Sequence, residues 1–240
     1  MKVFFKIILI GCYAFLLGAA KPRQKKEALA GTTATHYIDP LLLMNEAQSL
    51  LKEGDLVLRL NTDPASQYIK NFSRTDKSYS HAGIVIVENG YPYVYHIVNG
   101  TENPGEKLRK DSLKQFCNPR RNLGFGIYRY NLSSSETGSL HKLLQQWYAK
   151  GIGFDSVFNF RSNDKMYCSE MVSKALTKAT HKRIVPAAVV LTAAEAGLFS
   201  AYMHLPYSYT STMGVVPIDN LYLHADCRLV KRYKYVDDVK

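Results

Sequence analysis

A chain of 240 residues that is 46% hydrophobic, 12% aromatic and 21% charged has the composition of a folded protein and excludes a disordered or low-complexity reading. That length builds one sizeable core or at most two small ones. The formal charge of +11 suits anionic partners such as acidic lipids or wall polymers. Nucleic acid is not expected, because no recognised binding motif is present.

Residues 1–20, MKVFFKIILIGCYAFLLGAA, set two lysines before an apolar run that ends in small residues. This is the layout of a secretory signal, with Gly18, Ala19 and Ala20 at the cleavage site. Two other routes stay open. LIGC at 9–12 resembles a lipoprotein box in which Cys12 carries the lipid, although YAFLLGAA after it is apolar for such a tether, and the segment can also stay as a membrane anchor. All three take the body of the protein out of the cytoplasm, so the expectation is an exported protein, periplasmic or secreted, with membrane attachment through the N-terminus left open. No later stretch reaches the ~18 continuous apolar residues that span a bilayer. Residues 21–38 are basic and aperiodic and read as a linker, which leaves 39–240 as one folded domain.

In chain order, 41–51 has a short helical pattern and GDLVLRL at 54–60 reads as a strand entered through a glycine turn. A short helix is expected at 65–72. SHAGIVIV at 80–87 and YPYVYHIV at 91–98 are strand-like, and the Asn-Gly pair between them marks a hairpin. Helical turns at 111–117, a strand at 125–130 and a helix at 134–150 with capping serines at 133–135 follow. DKMYCSEMVSKAL at 164–176 opens a helix running to about 178. Another helix, interrupted by Gly197, is expected at 187–203, and strands return at Tyr222 and at 228–235. The fold class is α+β with a mainly antiparallel sheet.

Without Cys12 the chain keeps Cys117, Cys168 and Cys227, an odd number, so at least one thiol is free or pairs between chains. Cys117 with Cys227 is one bridge the count allows. Cys168 stands at a helix start, where unpaired amides and the helix dipole stabilise a thiolate and can receive an oxyanion. A small buried hydrophobe is the plainer role for a lone cysteine, so a base is needed opposite it. The hairpin offers one. A two-residue turn makes Glu88 face Tyr91 and Gly83 face His96, so that His81 and His96 become diagonal neighbours on one face, with Gly83 leaving room beside them.

These residues carry a resemblance. GDLVLRL, YSHAGIVIVENGYPYVYHI and GIGFDSVFNF leading into DKMYCSEMVSKAL resemble, in order from 54 to 176, the circularly permuted NlpC-type papain-like hydrolases, YiiX-like branch. The resemblance implies a permuted papain-like fold and a cofactor-free cysteine hydrolase, an amidase or peptidase. Cys168 is its implied nucleophile, His81 its general base and acid, and His96 the group that orients the imidazole. Export points to cell-wall peptide as the substrate. The rivals are a lipid acyl hydrolase or acyltransferase similar to the lecithin:retinol acyltransferases, with 185–206 lining an acyl pocket, and a wall- or lipid-binding module without turnover.

Other residues have simpler readings. Glu170 turns away from the thiol and is expected to be structural, and packing is favoured for Tyr167 and Tyr79 over shaping a substrate pocket or donating to the oxyanion. Asp55 and Asp155 match positions of the family that the chain resembles, and loop or strand-end hydrogen bonds explain them equally well. No metal is expected, since Cys168, His81 and His96 lack zinc-type clustering and a fourth ligand. His141, His181, His204 and His224 show no ligand spacing.

Overall fold

The computed structural model describes residues 39–100 and 103–235. The expectations of a signal at 1–20, lipidation at Cys12 and a linker at 21–38 lie outside the described residues.

Asp39 caps α1 (Pro40–Leu50), its carboxylate accepting from the Leu41 amide, while Pro40 sits where a missing N–H is harmless. β1 (Leu56–Asn61) follows. α2 (Pro64–Ile69) runs into a single 3₁₀ turn at Lys70–Phe72. β2 (His81–Glu88) and β3 (Tyr91–His96) form the hairpin, and Glu88 faces Tyr91. Asn89 and Gly90 are both left-handed, at φ 51° and 79°, which is the turn that an Asn-Gly pair favours.

The chain departs from expectation at 109–117. β4 (Arg109–Ser112) pairs with β3, and α3 (Leu113–Phe116) begins only after Ser112. Ser112 and Gln115 form a capping box, so the helix start signal sits one residue beyond Asp111, and the preceding residues cover an otherwise open strand edge. β5 (Asn122–Tyr130) and α4 (Ser134–Lys150) come next, the helix capped by Ser133 with Glu136 and ended by left-handed Gly151. Two parallel two-residue strands, β6 (Gly153–Phe154) and β7 (Lys165–Met166), lead into α5 (Cys168–Ala179).

The helix expected at 187–203 is divided. β8 (Val189–Val190) pairs with β9 (Gly214–Val215), and α6 covers only Ala193–Met203. Its start is the capping box of Thr192 and Glu195, a signal masked by the surrounding alanines, and Gly197 lies inside the helix without breaking it. A short α7 (Tyr207–Thr210) follows. At Tyr222 the expected strand is instead the end of α8 (Asp219–Tyr222). The amides of Asn220 and Leu221 bond back to Pro217 and Ile218, and burial of Leu221 and Tyr222 overrides the strand propensity of an aromatic residue. β10 (Cys227–Lys234) closes the chain's described part.

Six strands make one antiparallel sheet in the order β10-β5-β1-β2-β3-β4. The two-residue period of a strand sends Leu56, Leu58, Ala82 and Ile84 to a face shared with α4, α5 and α6. Val57, Val85, Val94 and Phe125 go to the other face, under α1 and α3. Cys117 belongs to that second cluster and Cys227 packs on the first, so the sheet separates them, and Cys117, Cys168 and Cys227 are free thiols.

Candidate active site

His81 opens β2 and His96 ends β3, on the sheet face that also holds Phe116. Gly83 lies between the strands where no side chain fits: a Cβ there would come within 2.5 Å of Val94 Cγ1 and 3.1 Å of His96 Cβ. This close approach lets the two imidazoles meet. His81 Nε2 and His96 Nδ1 are 2.9 Å apart, as the diagonal register requires.

The connection continues to residues that the sequence did not reveal. His96 Nε2 lies 3.2 Å from Asp111 Oδ2, and Arg109 donates to Asp111 Oδ1 through Nε at 2.9 Å and Nη2 at 2.6 Å. β4 supplies both, because its register sets Arg109 against His96 and Asp111 two residues on. RKDS contains no β-branched or aromatic residue, so nothing marked it as a strand that would deliver a carboxylate. Buried Arg59 is the other residue missed. Its Nη1 donates to the Phe116 carbonyl at 2.6 Å, and its guanidinium lies 4.7 Å from the centre of the Phe116 ring that packs on both imidazoles.

The chain of bonds determines proton positions. Burial would raise the Asp111 carboxyl, but hydrogen bonds and charge from His96 and Arg109 outweigh it and hold the group below its usual range, as an acceptor. His96 therefore donates from Nε2 and accepts at Nδ1, so His81 donates from Nε2. The basic lone pair of His81 is left on Nδ1. Burial lowers both imidazoles, His96 to about 4 against the pull of Asp111, and His81 well below its ordinary value with help from Arg59 and His96.

Cys168 is the first residue of α5, a helix that buries Met171, Val172 and Ala175 in the core. The backbone amides of Ala82 and Ser169 lie where they favour the Cys168 thiolate. Ala82 directly follows His81, and His81 and Cys168 line the same cavity. Burial pushes the thiol up to about 11, while the amides of Ala82, Ser169 and Cys168 and the charge of Arg59 pull the other way. The helix terminus thus favours the thiolate, as expected, but burial prevails over it.

Cys168 and His81 open into one cavity of about 320 Å³. Its walls include Ile69, Phe72, Phe154, Phe158, Phe199 and Val215, and among the described residues no lysine or arginine lines it. Asp63, which caps α2, is the one carboxylate that lines it among the described residues.

The competing residues have structural partners. Glu170 is fully buried, accepts from the Tyr167 amide at 3.2 Å, pairs with Lys174 at 2.7 Å and is raised by burial to about 7. Tyr167 lines the cavity with its hydroxyl taken by the Val216 amide, whereas Tyr79 packs on Tyr128 and Tyr222. Asp55 is held by Arg129 and the Lys52 amide, and Asp155 by the amides of Val157 and Asn159. His141 is paired with Glu53, His224 accepts from the Asp226 amide, and His204 ends α6. Among the described residues, no group of three or more His, Cys, Asp or Glu is arranged to hold a metal ion.

Residues 50–196 match the family model described as permuted papain-like amidase enzyme, YaeF/YiiX, C92 family. The match supports the YiiX-like resemblance and not its NlpC-type label. Uncharacterized protein YiiX of Escherichia coli (strain K12) is 26% identical over 133 residues, 55% of this chain and 60% of that relative's length. A crystal structure of metalloprotein yiiX from Escherichia coli O157:H7 superposes with a TM-score of 0.60 at 21% identity, covering 75% of this chain and 97% of the other. That likeness is one of fold.

Proposed function

Because the chain belongs to the permuted papain-like amidase family, we propose that it is a hydrolase in which Cys168 attacks an amide carbonyl, His81 moves the proton, and His96 with Asp111 orients His81. The observation that carries this reading is the unbroken run of hydrogen bonds from Asp111 through His96 to His81, beside a thiol at the start of α5. With burial raising the thiol and lowering the imidazole, the pair rests neutral. As the sulfur bonds to the carbonyl carbon, its proton passes to His81 Nδ1 and the amides at the start of α5 receive the oxyanion. Collapse breaks the C–N bond, and the amine leaves with the proton from His81. Water, deprotonated by His81, then releases the acyl group from Cys168.

Export and a cell-wall peptide substrate were read from residues 1–20 and from location alone. The cavity favours the lipid-type rival for the acyl portion of the substrate: its walls are largely aromatic and aliphatic, and among the described residues it offers no cation to the carboxylates of a wall peptide. We therefore place an apolar acyl amide or ester first and a wall peptide second.

Fatty-acyl amides of increasing chain length and wall fragments, incubated side by side with wild type and Cys168→Ala, test both levels. Turnover should rise with acyl length, and mass spectrometry should find the acyl group on Cys168. Turnover of wall fragments alone would replace the substrate and keep the chemistry. Equal hydrolysis by Cys168→Ala would end the nucleophile assignment, and full biological effect without turnover would favour the binding module.

A further inference from the structure

Residues 184–218 carry a single formally charged side chain, Glu195, in a chain that is 21% charged, and Glu195 is taken up by Arg74. Much of this segment is nevertheless at the surface. α6 buries Ala196 and Phe199 and turns Leu198 and Tyr202 outward, 63% and 42% exposed. A helix on a protein surface ordinarily presents charged and polar residues to water on that side, and this one is apolar on both. Val190 on β8 and Tyr207 on α7, 64% and 49% exposed, extend the patch. The patch is tied to α2 by Tyr202 stacking on Tyr68, with ring centres 4.1 Å apart.

We propose that this face, formed by β8, α6 and α7, lies on an anionic lipid bilayer. Two observations select that occupant. First, Phe199, on the inner side of the same helix, lines the cavity that holds Cys168, so the helix that would rest on the bilayer is also a wall of the site. Second, the chain carries a formal charge of +11, which repels a second copy and attracts acidic headgroups; Lys182 stands exposed just before the segment. Tyrosines suit the boundary, with an apolar ring and a polar tip. Among the described residues no helix is long and apolar enough to cross a membrane, so the contact is one of lying on the surface. The use of the contact rests on the apolar-substrate reading; the contact itself does not.

The test puts a reporter in the face itself, so that binding through the N-terminal segment does not imitate it. Full-length Leu198→Trp is mixed with phosphatidylcholine vesicles, with and without phosphatidylglycerol, made from lipids brominated on their acyl chains. The introduced tryptophan should shift to the blue and lose most of its emission on the anionic vesicles. The native tryptophan, Trp147, is only 7% exposed and serves as the unquenched reference. Adding Val190→Glu and Tyr207→Glu should abolish the quenching, and Cys168→Ala should leave it intact, which separates failure of docking from failure of catalysis. An unquenched reporter overturns the proposal, whether light scattering then finds a monomer or a dimer joined through this face. Quenching that survives the two glutamates overturns it as well. Should Leu198→Trp fail to fold, Tyr207→Trp carries the same reading, with Leu198→Glu as the disrupting change.

Discussion

Behind His81 at the cavity wall, His96, Asp111 and Arg109 of β3 and β4 continue a run of hydrogen bonds of 2.6 to 3.2 Å. On the side formed by α2, the 3₁₀ turn after it and α6, Ile69, Phe72 and Phe199 present only carbon. The first wall works in one arrangement, since each group fixes the proton of the next and a buried polar group that loses its partner is expensive. The second tolerates any side chain of suitable volume. Chemistry should therefore fail abruptly when the polar wall is altered, whereas substrate preference should drift when the apolar wall is.

The most severe break is His81→Ala, which removes the base and should lower turnover by about 10³-fold in a steady-state assay, with unfolding by urea unchanged enough to show a folded protein. Acid should come next. In the unfolded chain a histidine takes up a proton near pH 6.5, but buried His96 does so only at about 4, so stability present above pH 6.5 is lost as the pH falls toward 4. His96 alone contributes ~3 kcal/mol to that loss. His81 is also depressed by burial and adds in the same direction, and Asp111 adds its share at still lower pH. Urea titrations at neutral and acidic pH measure this, and a substitution on the apolar wall should leave the pH slope unchanged.

Asp111→Asn sharpens the comparison without removing a ring. An asparagine can donate to His96 Nε2, which reverses the tautomers and takes the lone pair of His81 away from the thiol. The expected result is a fall in kcat on the order of 10²-fold with KM nearly unchanged. Ile69→Ala should show the reverse, with KM for a long acyl amide raised about 10-fold and kcat held. The pH profile of Cys168 alkylation by iodoacetamide is the mildest probe. Reactivity should climb through the alkaline range, since burial holds the thiol near 11, and a plateau from acidic pH would reveal a resting ion pair instead.

Much of the polar wall was legible before the structure. The Asn-Gly turn determined the hairpin register, the register put His81 and His96 on one face, and the apolar spacing after Cys168 aimed its helix at the core. Asp111 was not legible, because Arg109–Ser112 becomes a strand only by pairing with β3, an effect of the partner and not of its own residues. The division of 187–203 and the helical turn at Tyr222 were hidden for related reasons: alanine-rich composition obscured the cap at Thr192, and tertiary burial overrode local preference. The apolar wall could not be assembled from sequence, since Ile69, Phe158, Phe199 and Val215 come from four distant segments.

That contrast in sequence separation bears on the order in which the molecule assembles. His81, His96 and Asp111 lie on three successive strands joined to their neighbours, so the loops to be closed between them are short. Cys168 reaches the same place across α4 and the β6–β7 pair, and Cys227 must find Tyr130 to close the sheet. Local contacts form ahead of distant ones. The machinery that accepts a proton should thus be complete while the thiol is still unattached, and pulse-labelled hydrogen exchange should find β2 to β4 protected before α5. On that order the base should be in place before the nucleophile reaches it.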